Sequence, residues 1–193
     1  MQVFDNVFPA KQFEKLQKEV MGYGIPWHYG RKVAYDTSPV TNPYLYGWGH
    51  TALDTTGSKS ELFPLIKTAF TSALDRFEIP INRLIRIRLI MNTITPESYI
   101  DKAHVDMNFA HQTALIYIND SDGPTSIYNE TFDTAFNNGG FDEHYNFIKN
   151  KLTVAQTIEP VANRMVIFNG LQYHCGTTPS KTDRRIIINV NYV

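Results

Sequence analysis

The sequence RMVIFNGLQYHCGTTPSKTDRRIIINVNY, residues 164–192, contains two runs of apolar and β-branched residues on either side of a histidine. The first run ends at an Asn-Gly pair, and the second begins at Arg185 and continues to the end of the quoted stretch. Short apolar runs bounded by turn-forming residues are typical of buried strands. We therefore predict two strands of a mainly β fold, with His174 between them.

A second histidine lies upstream, in the triplet His104-Val105-Asp106. On an extended strand residues i and i+2 point to the same face, so both polar side chains of the triplet can reach one ion. His174 follows Asp106 by 68 positions, which suits a ligand that returns on a distant antiparallel strand. Two imidazoles and one carboxylate can occupy one face of an octahedral ferrous ion and leave three positions open. We therefore predict an iron site at His104, Asp106 and His174.

Further strands, turns and helices are predicted around these candidate ligands. The strands cover residues 86–92, a ligand-bearing stretch that starts at residue 99, residues 113–119 and residues 125–128, with turns at 95–98 and 120–124. Apolar residues at helical spacing predict helices over residues 9–21 and 62–77, which we expect to cover one sheet. The aromatic-rich residues 23–50 predict short strands or loops beside the core, or alternatively a stacking surface for a proline ring or a peptide. Residues 131–149 are expected to form a loop over the site.

The order of these elements resembles the iron(II)- and 2-oxoglutarate-dependent oxygenases, and within them the prolyl-4-hydroxylase-like group, including its phage-type members. The resemblance covers residues 84–193 and is carried by the metal triplet, Tyr117-Ile-Asn119, Pro160-x-x-x-Arg164, His174 and the Arg-led last strand. It implies a double-stranded β-helix, a jelly-roll variant with flanking N-terminal α-helices. Length and the absence of repeats or low-complexity linkers indicate a single domain over residues 1–193. Residues 1–83 carry a looser likeness to the family and are expected to provide supporting strands and helices.

The resemblance further implies that an arginine on the last strand holds the distal carboxylate of 2-oxoglutarate, aided by a tyrosine hydroxyl. An arginine suits this role because its planar fork grips a carboxylate through two charge-assisted hydrogen bonds. Arg184 and Arg185 are both candidates, and strand alternation places Arg185 on the more polar face, together with Asn189 and Asn191. We therefore favour Arg185 over Arg184. Tyr117 matches the tyrosine position, although it is also a candidate for an ordinary core tyrosine.

The stretch Gly123-Pro124-Thr125 departs from the family pattern, in which many relatives carry a Gly-Gly-x-Leu segment after the hairpin. This segment borders the site in the family. The departure therefore leaves the substrate open.

The implied activity is hydroxylation of an unactivated carbon with Fe(II), 2-oxoglutarate and dioxygen, and with ascorbate as an optional reductant. A peptidyl proline is the leading substrate. The alternatives are a hydroxylase of a free amino acid or small metabolite, and a non-catalytic jelly-roll binding module. Tyrosines around an open groove would favour the peptide, whereas a pocket with a second carboxylate clamp would favour the small molecule. The ligand set together with Arg185 argues against the binding module.

Composition limits the partners. With 18 basic and 19 acidic residues the formal net charge is −1, so no overall field attracts nucleic acid, and a nucleic-acid demethylase is disfavoured. No signal peptide or membrane span is evident, and we expect a cytoplasmic protein, in a bacterial or phage-infected cell if the phage-type resemblance holds. A single cysteine excludes a disulfide within the monomer and leaves a four-ligand structural zinc site incomplete. The sequence indicates no oligomeric state.

The other polar candidates are assigned non-functional roles. We expect none of the remaining four histidines to be a ligand, namely His28, His50, His111 and His144, and we expect His111 to be an exposed loop residue. Cys175 is predicted to point away from His174 because neighbours on a strand face opposite sides. The stretch from Asp120 to Gly123 resembles part of a calcium loop but lacks its later ligands, so it predicts a turn.

Overall fold

The computed structural model describes residues 1–30, 42–136 and 140–193, with three helices and eleven strands in these ranges. The helices are α1 Ala10–Met21, α2 Phe63–Arg76 and α3 Phe141–Ile148, the last followed by a single 3-10 turn, Lys149–Lys151. The strands are β1 Gln2–Phe4, β2 His28–Gly30, β3 Gly47–Asp54, β4 Gly57–Ser58, β5 Leu84–Thr93, β6 Gln112–Tyr117, β7 Thr125–Thr131, β8 Val154–Ile158, β9 Met165–Asn169, β10 Gln172–Gly176 and β11 Arg184–Tyr192.

Two antiparallel sheets face each other. The larger sheet has the strand order β1-β9-β6-β11-β5-β3-β2, with β4 paired to β3, and the smaller has the order β10-β7-β8. The long pairing of β11 with β5 and β6 places the last strand at the centre of the larger sheet. Strands that are close in space but distant in sequence, such as β1 and β9, are typical of a jelly roll. The mainly β fold predicted from the sequence is therefore confirmed.

Side-chain alternation gives the larger sheet one apolar face and one face with several polar groups. On β11, Ile186, Ile188 and Val190 pack in the main core, together with residues of α1 and α2. Their neighbours Arg185 and Asn189 point to the opposite face and line a cavity between the sheets. The helices therefore cover one face of the sheet, as predicted, and the other face is left for a site.

Two smaller cores complete the layers. One lies between the sheets and is formed by Leu115, Tyr117, Ile127, Ile158, Val166, Phe168 and Ile187. The other lies on the far side of the smaller sheet, where residues of α3 and the 3-10 turn region pack against β10. Part of the smaller sheet is thus buried on both faces, and the core between the sheets packs it against the larger sheet.

The predicted elements agree with the structure except around the smaller sheet. The stretch of residues 131–149, predicted as a loop, contains α3, whose first turn holds Asp142 and Glu143; residues 137–139 lie outside the described ranges. β8 was not predicted, because four of its five residues are exposed and it lacks apolar alternation. The prediction of a regular ligand-bearing strand from residue 99 is wrong. This segment forms only two isolated β-bridges, from Ile100 to Thr177 and from His104 to His174.

Part of the aromatic-rich segment also lies outside the described ranges, namely residues 31–41. Its described ends form β2 and β3 at the edge of the larger sheet. Tyr29 contacts both Tyr46 and Trp48 there, with ring centroids 5.8 and 5.5 Å apart. In the described part of the chain, no helix has the length and apolar character needed to cross a membrane.

Candidate metal centre

The structure brings His104, Asp106 and His174 together. The two histidines lie opposite each other in an antiparallel bridge, with N–H to carbonyl distances of 3.0 and 2.9 Å, and their ring centroids are 4.7 Å apart. Asp106 Oδ2 lies 3.9 Å from His174 Nε2. One ligand atom from each residue lies within 4.8 Å of the others. Asp106 and His174, which are 68 positions apart in sequence, therefore lie close enough together to share one metal ion with His104.

Backbone carbonyls orient both imidazoles. His104 Nδ1 lies 3.0 Å from the carbonyl of Lys102, and His174 Nδ1 lies 3.2 Å from the carbonyl of Gln172. Each ring therefore donates its Nδ1 hydrogen to the backbone and keeps a lone pair on Nε2 for a metal ion. Burial, and after it the charge of His104, lowers the pKa of His174 to about 4. His174 is thus neutral near pH 7, which is the form that ligates metals.

Asp106 is held by three donors. Arg86 Nη2 lies 2.5 Å from Oδ1, and the side-chain amides of Asn189 and Asn191 donate to Oδ2 at 3.0 and 2.9 Å. Burial opposes ionisation, but the charge of Arg86, followed by the two histidines and Asn189, outweighs it and holds the pKa of Asp106 well below its usual range. The carboxylate is therefore ionised and fixed. A carboxylate has about four lone pairs that can accept hydrogen bonds, so one of them remains for a metal ion after these three bonds.

These donors suit a divalent transition metal. Two imidazoles and one carboxylate make up the facial set that leaves three positions open on an octahedral ion. The cavity that they line, called here the central cavity, has a volume of about 240 Å³. Its lining includes residues of β5, β11 and β7 as well as the three ligands, namely Arg86, Arg88, Ile90, Asn92, Thr125, Arg185, Ile187 and Asn189.

Arg185 contributes a positive charge to the lining of the central cavity. Its side chain is buried, and Nη2 donates to Thr125 Oγ1 at 2.6 Å. Tyr117 donates its hydroxyl hydrogen to the same oxygen at 2.8 Å. Arg185 Nε is buried without a hydrogen-bond partner in the described structure. Because a buried donor without a partner is costly, this arrangement suits an anionic ligand that accepts from the guanidinium.

The three predicted co-substrate residues are placed differently. Arg185 lines the central cavity, whereas Arg184 points to the other face of β11 and its Nε donates to Asp183 at 2.8 Å. Tyr117 is fully buried and lies behind Thr125, outside the cavity lining. Burial raises the pKa of Tyr117, so its hydroxyl stays protonated and remains a donor.

Sequence reasoning missed Thr125 and the arginines of β5. Thr125 belongs to the segment that departs from the family pattern, and its hydroxyl joins Arg185 and Tyr117. Gly123 permits this arrangement, since a Cβ there would lie 2.4 Å from the carbonyl oxygen of Thr177 and 3.1 Å from Arg185 Cδ. Arg86 is placed at the site by its register with Asn191 between β5 and β11, a long-range pairing that the sequence alone does not record.

None of the other four histidines belongs to the metal-ligand group found among the described residues. The expectation that His111 is exposed is wrong: its ring is buried, and its Nδ1 lies 2.7 Å from the carbonyl of Phe109. The packing of a glycine, Gly170, against the ring explains this burial. Cys175 is buried in the core behind the smaller sheet, on the face away from His174.

The calcium-like stretch is a turn, as predicted. Asp120 Oδ1 accepts a hydrogen bond from the backbone of Ala162 at 2.7 Å. Asp122 accepts from the backbone N–H groups of Ser180, Lys181 and Thr182 at 2.9 to 3.0 Å. Both carboxylates are thus used in fixing loops, including the loop that leads into β11.

Solved structures with a similar fold include two prolyl hydroxylases. A prolyl hydroxylase from Trichoplax adhaerens, in complex with a peptide of a hypoxia-inducible factor, is 14% identical with a TM-score of 0.60, covering 99% of this chain and 82% of that one. A prolyl-4-hydroxylase from Pseudomonas putida is 12% identical with a TM-score of 0.54, covering 99% and 91%. The chain has the fold of the 2-oxoglutarate- and Fe(II)-dependent oxygenases.

This oxygenase fold also includes proteins with small-molecule ligands. HygX from Streptomyces hygroscopicus, with nickel, 2-oxoglutarate and hygromycin B bound, is 14% identical with a TM-score of 0.58, covering 98% of this chain and 81% of that one. At such identities the likeness shows the fold alone. Scans of the sequence against protein-family models and against curated proteins returned no match.

Proposed function

We propose that the protein is an Fe(II)- and 2-oxoglutarate-dependent dioxygenase that hydroxylates an unactivated carbon. The observation that carries the proposal is the presence, in one cavity, of the three converging ligands and a buried guanidinium with an unpaired Nε. A metal site alone would suit many roles. A metal site beside a separate carboxylate anchor suits a co-substrate that has one acidic group at the metal and another at a distance.

In this proposal His104, Asp106 and His174 hold the iron. When bound, Fe(II) with 2-oxoglutarate and dioxygen supplies the oxidation, in which 2-oxoglutarate loses CO₂ to become succinate and one oxygen atom enters the C–H bond of the substrate. Arg86 supports the site by keeping the Asp106 carboxylate ionised and by fixing its direction.

Arg185 holds the distal carboxylate of 2-oxoglutarate, together with the hydroxyl of Thr125. The Thr125 oxygen accepts from both Arg185 and Tyr117, so its own hydrogen is left to donate to the carboxylate. Tyr117 acts as a positioning residue that fixes Thr125. Arg184 has no part in this anchor, because its guanidinium lies on the other face of β11.

Peptidyl proline is the first substrate to test, supported by the fold likeness to two prolyl hydroxylases. A small molecule is the second candidate. It is favoured by one observation: Arg88 lines the central cavity without a hydrogen-bond partner among the described residues, which has the character of a second carboxylate clamp. A non-catalytic binding module would require neither Arg185 nor an open metal face.

The test is an anaerobic titration of the protein with ferrous iron and 2-oxoglutarate, followed through the visible charge-transfer band of the chelate. We expect the band in the wild type, its loss in His174→Ala and its retention in His28→Ala, a matched control because His28 is exposed. Admission of dioxygen with a proline-containing peptide or small-molecule substrates should then yield succinate. Absence of the band at every loading, with metal binding confirmed by calorimetry, would remove the oxygenase proposal.

A further inference from the structure

A second concavity, called here the side groove, adjoins the central cavity. It has a volume of about 490 Å³, within the range of pockets for small-molecule ligands, about 300–1,000 Å³. Arg88 and Ile90 line both spaces, so the groove borders the central cavity along β5. Two glycines of β3, Gly47 and Gly49, line it. Because they have no side chains, the groove stays open above the sheet.

Arg88 lies at the junction of the two spaces. In the sheet it faces Asn189 of β11 on one side and Thr51 of β3 on the other. Its guanidinium is partly buried and makes no hydrogen bond to any described residue. The nearby carboxylate of Asp106 already has Arg86 and two amides as partners. Burial, and after it the like charge of Arg86, lowers the pKa of Arg88 against the opposing attraction of the Asp106 carboxylate.

The side groove is also cationic. Lys59 and Arg88 are among the described residues that line it, and no Asp or Glu is among them. Lys59 is exposed and lies 3.8 Å from Asp54, at the limit of an ion pair. Arg88 is therefore the inward-lying cation of the groove. A partly desolvated guanidinium without a partner is a ready site for a carboxylate, which it can grip through two parallel hydrogen bonds.

We infer that Arg88 binds a carboxylate of a small-molecule substrate whose body lies in the side groove and whose reacting carbon is directed into the central cavity. The inference rests on the proposed function, for which it names the substrate class. The roles of the arginines are distinct: Arg185 holds the co-substrate, Arg86 holds a metal ligand, and Arg88 selects an anionic substrate.

The test uses the full chain loaded with Zn(II), which is diamagnetic, and 2-oxoglutarate. The arginine Nε–H signals are followed by NMR during titration with acetate, benzoate and N-acetyl-L-proline, each compared with its neutral amide. The Arg88 signal is identified by its loss in Arg88→Gln. We expect it to shift saturably with the carboxylates, which bind about tenfold or more tightly than the amides. Because Arg88→Gln lacks this signal, the affinities of the acids and amides for the variants are measured by calorimetry. Arg88→Gln should abolish the preference for the acids, and Arg83→Gln should keep it, since Arg83 is exposed and does not line either space.

Calorimetry of 2-oxoglutarate binding in the same samples separates this inference from the proposed function. Failure of 2-oxoglutarate to bind any form would count against the proposed function. Normal 2-oxoglutarate binding with an Arg88 signal that ignores every carboxylate, or that responds equally to the amides, would overturn only the inference. Loss of 2-oxoglutarate affinity in Arg88→Gln would also overturn it, because Arg88 would then hold the co-substrate.

A peptide could bring the same carboxylate chemistry, and a second arm distinguishes it. The peptides Ac-Ala-Pro-Glu-NH₂ and Ac-Ala-Pro-Gln-NH₂ are titrated under the same conditions. We expect both to bind more weakly than N-acetyl-L-proline. If the acidic peptide binds about tenfold more tightly than the small acids, the occupant is a peptide and the small-molecule assignment is wrong.

Discussion

Replacement of Arg185 by glutamine should weaken binding of 2-oxoglutarate far more than the same replacement at Arg184. Arg185 is buried at 2% exposure and lines the central cavity, and its Nε has no hydrogen-bond partner in the part of the chain that the structure describes. Truncation of one member of a buried, hydrogen-bonded charge pair costs about 2–5 kcal/mol. The expected rise in the dissociation constant of 2-oxoglutarate is therefore about 30-fold to several thousand-fold.

Arg184 provides the matched control because it is the neighbouring residue and the same chemical change is made. Its side chain is 38% exposed and pairs with Asp183 on the face away from the cavity. Exposed pairs contribute about 0–1 kcal/mol to stability. We expect Arg184→Gln to leave both the free energy of unfolding and the affinity for 2-oxoglutarate nearly unchanged.

The measurement is calorimetry of 2-oxoglutarate binding to the Zn(II)-loaded wild type, Arg185→Gln, Arg185→Lys and Arg184→Gln. Circular dichroism verifies that each variant is folded. Arg185→Lys keeps the charge but loses the planar fork, so an intermediate affinity is expected. Equal weakening by Arg184→Gln and Arg185→Gln, or unchanged affinity in folded Arg185→Gln, would refute the assignment of Arg185 and the use of strand alternation to make it.

Three further changes test the surrounding structure. Tyr117→Phe removes a hydroxyl that donates a 2.8 Å hydrogen bond inside the anchor, so calorimetry should show about a three- to tenfold loss of 2-oxoglutarate affinity, less than for Arg185→Gln. Gly170→Ala would place a Cβ 2.1 Å from His111 Nε2, so thermal unfolding should show that the free energy of unfolding falls by about 1–3 kcal/mol. Gly24→Ala is the control, because no atom lies within 4 Å of its new Cβ, and it should not be destabilised. Asp122→Ala removes the acceptor for the loop before β11, so urea unfolding at neutral pH should show a loss of about 1–2 kcal/mol. Burial opposes the ionisation of Asp122, but hydrogen bonds from that loop outweigh it and hold the pKa of Asp122 well below the usual range. The contribution of Asp122 to the free energy of unfolding is therefore full above about pH 4 and is lost as the pH falls through the lower folded-state pKa. The stabilities of the wild type and the variant should converge in acid.

The sequence predicted the parts of the site that depend on local spacing. The alternation of β11 separates Arg185 from Arg184, so the extended backbone of one strand was enough to choose between them. His104 and Asp106 lie two positions apart and share the site, although the segment that carries them is not a regular strand. The two N-terminal helices were predicted for a similar reason, since apolar spacing records which face is buried. In the strand and in the helices, the pattern of residues within a single element is enough to show which way its side chains face.

Elements without such a signal were missed. β8 is an exposed edge strand, so its register with β7 is set by backbone hydrogen bonds that leave no apolar pattern. The stretch before His104 is held by two isolated bridges, and no periodicity marks a segment of that kind. α3 is only eight residues long, too short for a strong helical period.

What the sequence by itself determined is the chemistry available: two imidazoles, a carboxylate and an arginine, each on a segment with a defined face. Only the tertiary structure decided which polar groups share the cavity. Thr125 meets Arg185 because β7 and β11 lie in opposing sheets, and Arg88 lines the cavity because β5 lies between β3 and β11 in the larger sheet. Alternation along a strand fixes the side to which a residue points, but the neighbours on that side come from strands that pair and pack at long range, which no local pattern records.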